Sequence, residues 1–427
     1  MSKFQLILLT VFGFFIIVAV MVFAIYRGAG SVQATVTVWG SIANNDFDTF
    51  LNNAGFSQDK TLTISYVEKS VESLEADFTE ALAAGSGPDI IILSQDKFWK
   101  NKNKLIAIPY SSLGEKDFKD TFVQAGEVFL TAEGIYALPI SIDPMVLYYN
   151  RDLLSTAGIA KPLSFWDEIY KQTLNLSKRD AAGNLIKSAV AMGETKNIDH
   201  FKDILSLLFL QAGTPITAIV GSELRSTLTD NFNLPINPAG SALDFYAEFA
   251  NPTKTYHSWN RTMPEAQTRF TSGDLAYYLG FASEVTALRG KSPTLNFSVA
   301  SVPQSRVAGR AITFAHIEGM AISRGSKNPT AAFLAVSKII LPENASLLSQ
   351  ILGLPPVRRD LLGVRPTDSI FPVFYDAALQ SKVWLDPDDE GTDQIFRDMI
   401  DTITSGRART SEIVNKASEK LDNLINK

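Results

Sequence analysis

Two side chains able to bind a polar solute stand two positions apart in an extended segment. His316 and Glu318 alternate between Phe314 and Gly319, and alternate residues of a strand face the same side. An imidazole and a carboxylate together offer donors and acceptors, which the hydroxyls of a small ligand require. We therefore interpret the pair as candidate ligand contacts. For His316 a second interpretation stays open, in which the histidine is bonded only to the protein.

Two tandem tyrosine pairs suggest a different chemistry. Tyr148-Tyr149 and Tyr277-Tyr278 are of the kind that bind ferric ions. Alternation along a strand would send the two members of each pair to opposite faces, so one member of each pair belongs to a core. A ferric-ion binder stays an alternative, while the prediction is that the protein holds no metal.

The acidic run Asp386–Gly391 begins like a calcium-binding loop. Its glycine stands at the sixth position, but Arg397 occupies the twelfth, where a bidentate Glu is needed. We interpret the run as a solvated turn that caps the following helix, and we predict no cofactor.

Motifs of catalysis are missing from the sequence. It has three histidines and no cysteine, and it contains no zinc-helix motif, glycine-rich phosphate loop or Gly-x-Ser-x-Gly. Paired carboxylates for glycoside hydrolysis stay open, because their separation depends on the fold. We predict a binding protein that is not an enzyme.

Composition restricts the partners. The net charge of −6 is spread over 427 residues without a block of Lys or Arg, whereas binding to nucleic acid requires clustered cations. The absence of cysteine excludes disulfides, thiolate metal sites and the usual lipid anchor of exported lipoproteins. A chain of this length predicts two or three domains.

The amino terminus predicts a membrane anchor. Phe4 to Tyr26 form a run of 23 residues without a charge, which is long enough to cross a bilayer core of roughly 30 Å. The apolar core of a signal peptide is shorter, about 7–15 residues. We therefore expect an uncleaved transmembrane helix in residues 1–27 and a linker in 28–34, with cleavage near Ala34 left open. Lys3 favours an orientation with the body outside the cytoplasm.

Strands and helices alternate after the linker. Hydrophobic patterns predict strands at Thr35–Trp39, Thr61–Val67 and Pro88–Leu93, with helices from Asn44 or Asn45 and from Val71 between them. This order is typical of a parallel sheet, whose ligands bind beyond the carboxyl ends of the strands.

The residues at those strand ends are candidate ligand contacts. The first predicted strand ends at Trp39 and is followed by Ser41, and the third is followed by Gln95 and Asp96. Trp39 has an alternative interpretation as a residue packed under the sheet.

The middle of the chain is extended from Tyr136 to Tyr149, but Pro144 argues against a regular central strand there. Later short strands are predicted at Ala276–Leu279, Phe297–Val302, Ala311–Phe314 and Gly319–Ile322.

Eight ordered stretches carry a family resemblance. They are Thr37–Gly40, Ala81–Ile90, Tyr136–Pro139, Leu147–Gly158, Phe165–Glu168, Phe270–Phe281, Ala321–Asn328 and Gly353–Arg358. Together they resemble the family 1 extracellular solute-binding proteins of ABC importers, the group typified by maltose-binding proteins.

The resemblance implies an α/β fold of the periplasmic-binding-protein type, with two lobes joined by a hinge and preceded here by a single N-terminal transmembrane helix. Hinge crossings are expected near Asp143-Pro144, Phe314–His316 and Leu361–Pro366. Lobe 1 is then residues 35–143 and 315–362, and lobe 2 is residues 144–314 and 363–427.

The family resemblance also implies which residues of this chain contact the ligand, by their positions in the matching stretches. The resemblance implies that Asp143 at the hinge and Phe281 after a glycine contact the ligand, with Trp259 as a further aromatic wall. His316 and Glu318 stand where many members of the family have a glycine-rich turn. Arg358 is expected either to reach the cleft or to pin the loop Gly353–Pro356.

The implied function is a membrane-anchored, extracytoplasmic solute-binding protein. It would capture a small solute, with a carbohydrate as the expected ligand, and deliver it to the permease of an ABC importer. A binder of ferric ion or another small solute, and a sensor or scaffold of the same fold without transport, stay open as alternatives.

Overall fold

The computed structural model describes residues 34–221, 223–306 and 309–426. The predicted membrane helix in residues 1–27, and the linker up to residue 33, lie outside these ranges. Within them, no single helix is long and apolar enough to cross a membrane, and only the pair Pro329–Ile339 and Pro342–Leu352, bent by 72°, meets both criteria together.

The strands of the described ranges are numbered in chain order. They are β1 Ala34–Gly40, β2 Leu62–Glu68, β3 Ile90–Ser94, β4 Leu105–Ile106, β5 Leu130–Thr131, β6 Gly134–Ile135, β7 Ala137–Asn150, β8 Lys178–Arg179, β9 Leu185–Val190, β10 Thr217–Val220, β11 Glu223–Ser226, β12 Leu275–Phe281, β13 Phe297–Ala300, β14 Thr313–Ser323 and β15 Ser381–Lys382.

The helices of the same ranges are numbered likewise. They are α1 Asn44–Asn53, α2 Leu74–Ala83, α3 Gln95–Asn101, α4 Glu115–Thr121, α5 Arg151–Thr156, α6 Glu168–Leu176, α7 Phe201–Ala212, α8 Pro238–Glu248, α9 Ala266–Thr271, α10 Glu284–Lys291, α11 Pro329–Ile339, α12 Pro342–Leu352, α13 Arg359–Leu362, α14 Phe371–Gln380, α15 Asp389–Thr404 and α16 Thr410–Ile425.

The first three strands form the parallel arrangement that the sequence predicts. β1 pairs with β2 along its whole length, from Ala34 opposite Leu62 to Gly40 opposite Glu68, and β3 pairs with its other edge. The main sheet continues in the order β2-β1-β3-β14-β7-β12-β9-β8. The carboxyl ends of β1 and β3 therefore meet at one edge, next to β14.

β7 corrects the prediction that proline prevents a regular central strand. It runs unbroken over 14 residues between β14 and β12. Pro139 lies beside a shift in the register with β14. Pro144 is the last residue that pairs with β14, and Met145 is already opposite Phe281 of β12. The prolines are tolerated because they stand where the ladder is irregular or changes partner.

β14 is one long strand where the sequence predicted two short strands. The end of the segment predicted at Ala311–Phe314 and all of the segment predicted at Gly319–Ile322 belong to a single strand of 11 residues, which begins at Thr313. Its first residues lie beside β15 and its last residues lie beside β3 and β4. β14 and β7 are thus long neighbouring strands that pair antiparallel.

The hydrophobic core changes along these two strands. The residues of β7 up to Ile142 belong to a first core around β1–β3, and those from Met145 belong to a second core around β12. On β14 the change falls between Phe314 and Ala315. β7 and β14 therefore connect two α/β bodies, while the predicted domain boundaries themselves stay predictions.

Candidate functional site

A cavity of about 400 Å³ lies where β7 and β14 pass between the two cores. The ends of β1 and β3, the middle of β7 and β14, and the starts of α2, α3 and α15 contribute to its wall. The lining residues are Ser41, Val71, Leu74, Glu75, Ile92, Leu93, Ser94, Asp96, Lys97, Ser141, Asp143, His316, Glu318, Leu354 and Asp389.

The structure brings five of the predicted site residues together in this wall. Ser41 follows β1, Asp96 follows β3, and Asp143, His316 and Glu318 come from the crossing strands. Asp143 and His316 are direct partners in the β7–β14 register. The edge where parallel strands end therefore does supply polar groups, as the order of the elements predicts.

Glu318 is held by two hydroxyl groups. Ser141 donates to its Oε2 atom at 2.8 Å and Ser41 donates to Oε1 at 3.5 Å. Burial raises the pKa of Glu318, and the two hydrogen bonds oppose this shift. Ser141 is a site residue that the sequence interpretation missed, although it stands two residues before Asp143 and so shares its face of the strand.

Asp143 accepts a hydrogen bond from a backbone amide that lies just after the end of β12. The Ser283 amide donates to Oδ1 of Asp143 at 3.0 Å. Burial raises the pKa of Asp143 to about 6, against the effects of this bond and of the nearby His316. The Ser283 side chain is a further hydrogen-bond partner of this carboxylate.

His316 joins β14 to α7. Its Nε2 atom lies 3.5 Å from Oδ1 of Asp203. Burial disfavours the charged imidazole, yet Asp203 raises the pKa of His316 to about 9. The Nε2 atom of Gln95 lies 3.2 Å from Nδ1 of His316, and its Oε1 accepts the Ile317 amide at 2.7 Å. His316 thus lines the cavity and is bonded to the protein at the same time.

Gln95 and Phe281 lie behind the wall. Gln95 is buried against His316, and the ring of Phe281 lies 4.5 Å from the His316 ring, centre to centre. Both were predicted as ligand contacts. Both contact the His316 imidazole, and neither is among the residues that line the cavity.

Three predicted contacts lie elsewhere. Trp259 is fully buried in the second core, where its Nε1 donates to Asn197 at 3.0 Å. Trp39 lies outside the lining, with the Lys69 ammonium 4.3 Å from its ring centre. Arg358 donates to the Ile340 carbonyl at 3.0 Å and pairs with Asp360, so its partners lie neither in the cavity nor in the loop Gly353–Pro356.

The acidic run before α15 differs from the solvated turn that we predicted. Asp386 is buried, lies 2.8 Å from the Lys202 ammonium and accepts a bond from Thr392. Burial raises the pKa of Asp386 to about 6, and the charge of Lys202 opposes this shift. As predicted, a helix begins at this run. The run also contains a buried ion pair, which could not be predicted from the acidic residues alone.

The same run faces α3 of the first core. Lys97 of α3 lies 3.1 Å from Asp389, and Lys100 lies 2.7 Å from Asp388. Because α15 packs in the second core, these pairs join the two bodies on one side of the cavity. No local sequence pattern marks these lysines, because their partners are almost three hundred residues away in the chain.

The tandem tyrosines do not converge. Tyr148 donates to the Phe281 carbonyl at 2.7 Å, Tyr278 donates to Glu284 at 2.6 Å, and Tyr277 donates to Gln172. Within the described ranges, no group of three or more His, Cys, Asp or Glu side chains could hold a metal ion.

Known proteins resemble this chain in sequence and fold. The family model described as bacterial extracellular solute-binding protein matches residues 53–368. A binding protein of Brucella abortus (strain 2308) is 21% identical over 337 residues, which cover 78% of this chain and 77% of that protein. The galactooligosaccharide-binding protein of Bacillus subtilis (strain 168) is 26% identical over 130 residues, 29% of this chain and 30% of that protein.

A solved structure extends the likeness to the whole fold. The cyclic alpha-maltosyl-1,6-maltose binding protein of Arthrobacter globiformis superposes with a TM-score of 0.75 at 15% identity, over 92% of this chain and 99% of that one. This coverage confirms the predicted two-lobed α/β fold.

Proposed function

The chain belongs to the bacterial extracellular solute-binding proteins, and we propose that it captures a carbohydrate in the cavity between its lobes and delivers it to the permease of an ABC importer. The observation that carries the proposal is the cavity itself. It lies at the two strands that connect the cores, and its polar groups come from both strands. Relatives named for oligosaccharides support the choice of ligand class.

The wall offers the groups that a saccharide needs. Sugar hydroxyls both donate and accept, and carboxylates form strong hydrogen bonds with them. The carboxylate of Asp143 lines the cavity, and Ser41 and Ser141 present hydroxyls beside Glu318. We infer that Ser41, Asp96, Asp143, His316 and Glu318 contact the ligand.

Closure would follow from the same geometry. The ligand enters between open lobes, and the lobes rotate about β7 and β14 until both sides contact it. Ligand stabilises the closed form only through contacts that it makes there preferentially. The Lys97–Asp389 and His316–Asp203 contacts join the bodies and would form or tighten during this rotation.

Binding requires no catalysis, and we propose none. The family places the body outside the cytoplasm, and we propose that the apolar run Phe4–Tyr26 tethers it to the membrane beside its permease. Deleting residues 1–27 should release the protein from membranes into the soluble fraction. A truncated protein that sediments with membranes would contradict the tether without affecting the binding proposal.

A ligand screen by thermal unfolding tests the binding proposal. The full-length protein in a mild detergent would be heated with saccharides, polyols, polyamines and ferric ion, with tryptophan fluorescence as the readout. A ligand at a hundred times its dissociation constant adds about 2.7 kcal/mol of stability and so raises the melting temperature. Stabilisation by a saccharide supports the proposal. Stabilisation by ferric ion alone, or by no solute, would contradict it.

A further inference from the structure

The cavity wall carries more acidic than basic side chains. Its side chains include the carboxylates of Glu75, Asp96, Asp143, Glu318 and Asp389, against two basic groups. None of the lining residues is Trp, Tyr or Phe. Flat aromatic faces are what commonly hold the C–H surface of a sugar ring, so this site depends on polar and charged contacts instead.

The two basic groups of the wall are already paired. Lys97 lies 3.1 Å from Asp389 and 3.5 Å from Glu75. His316 lies 3.5 Å from Asp203. Each cation therefore has a carboxylate of the protein as its ion-pair partner, and the wall still holds more carboxylates than cations.

Three carboxylates of the wall have no ion-pair partner among the described residues. Asp96 accepts from the Ser94 hydroxyl, Asp143 from the Ser283 amide, and Glu318 from two serine hydroxyls. They come from three different elements, α3, β7 and β14, so they face the cavity from several sides. Partly buried carboxylates without an ion-pair partner are costly, and a further cation between them would reduce that cost.

We propose that the ligand is an amino saccharide whose protonated amine is bound by Asp96, Asp143 and Glu318. This inference rests on the proposed function, because it specifies the ligand of the same cavity. Burial raises the pKa values of Asp143 and Glu318, and the charge of His316 opposes these shifts without cancelling them. The serine hydroxyls at positions 41, 94 and 141 would bind the sugar hydroxyls beside the amine.

Matched saccharides test the charge directly. Titration calorimetry with the full-length protein at pH 7.5 would compare glucose, galactose and mannose, and their α- and β-linked disaccharides, with the corresponding amino and N-acetylamino forms. Each set differs only at the substituted carbon. We expect the best amino form to bind at least tenfold more tightly than its hydroxyl and N-acetyl counterparts, because only the amine is charged.

The outcomes separate the two proposals. If a neutral saccharide binds as tightly as its amino form, the inference is wrong and the proposed function stands. If no saccharide of either kind binds, the proposed function fails and the inference fails with it. If spermidine binds and no amino saccharide does, the cavity recognises amines without sugar, and both are wrong.

Neutral variants locate the amine. Glu318→Gln and Asp96→Asn remove one charge each with little change in shape, and each should reduce the amine preference at least fivefold. Asp120→Asn is the control, since it removes one charge from the exposed pair with Lys116 on α4. Intact melting transitions would show that the variants fold. If both cavity variants keep the full amine preference, the inference is wrong.

Discussion

The Nε2 atom of His316 lies 3.5 Å from Oδ1 of Asp203, and this contact ties the crossing strand β14 to helix α7 of the second core. Asp203 has a second imidazole on its other side, because its Oδ2 lies 3.7 Å from Nδ1 of His200. Burial alone would raise the pKa of Asp203, but the two histidines hold it well below its usual range. A buried carboxylate between two imidazoles is therefore a structural feature of the hinge.

Removing the central charge of this chain should destabilise the protein. Asp203→Asn leaves His200 and His316 without their shared carboxylate. We expect the free energy of unfolding to fall by about 3 kcal/mol, as for other buried pairs that lose one partner. Urea denaturation would measure the change. Asp199→Asn, at an exposed position just before α7, is the control and should change stability by less than about 0.5 kcal/mol. Equal effects of the two variants would contradict the structural role of Asp203.

His200 should make stability depend on alkaline pH. Burial disfavours its charge, but Asp203 and Glu284, the latter 2.9 Å from Nε2, raise the pKa of His200 to about 10. A histidine whose pKa is higher in the folded state stabilises fully below its unfolded pKa, near 6.5, and loses that effect as pH rises through the folded pKa. The wild type should therefore lose more stability between pH 6.5 and 10 than His200→Gln does. Parallel pH dependences of the two melting temperatures would contradict the assignment.

The Lys97–Asp389 pair should couple the two bodies. Its ammonium–carboxylate distance is 3.1 Å and both side chains are partly buried. In a double-mutant cycle, Lys97→Gln and Asp389→Asn should show a coupling of about 1 kcal/mol that weakens at high salt. The fully exposed pair Lys116–Asp120 is the control, for which we expect a smaller coupling. Small-angle scattering should show the double variant more open. A coupling no larger than that of the control would mean that the pair does not hold the bodies together.

Sequence patterns anticipated the elements better than the contacts. β1 to β3 are predictable because their apolar residues alternate or run together. Alternation also anticipated that His316 and Glu318 line one cavity. β7 was misjudged, because the usual effect of proline on a strand assumes a regular ladder, and this strand changes partner at Pro144.

Contacts between residues far apart in the sequence limit how much of the site could be predicted. Trp259 was predicted as a ligand wall, but its indole donates to Asn197, 62 positions earlier in the chain. No local pattern reveals such a partner. The role of Asp203 was hidden for the same reason, since its partner His316 belongs to another element. Spacing indicates which face a side chain occupies, whereas the fold decides what that face contacts.

Asp143 should set the acid limit of ligand binding. Burial raises its pKa to about 6, so the carboxylate becomes protonated as pH falls through that value. At pH 5 about one tenth of the unliganded protein would have Asp143 ionised, and affinity for a ligand that needs the carboxylate should be about tenfold lower than at pH 7.5.

Asp143→Asn should weaken binding more than tenfold at pH 7.5, on the order of 1.5–3 kcal/mol for a lost charge-assisted bond, and should flatten the dependence of affinity on pH between pH 5 and 7.5. Asp120→Asn should leave both affinity and pH dependence unchanged. Calorimetric titration with the ligand identified by thermal unfolding would measure all three proteins, and an Asp143→Asn variant with wild-type affinity and a wild-type pH profile would remove Asp143 from the site.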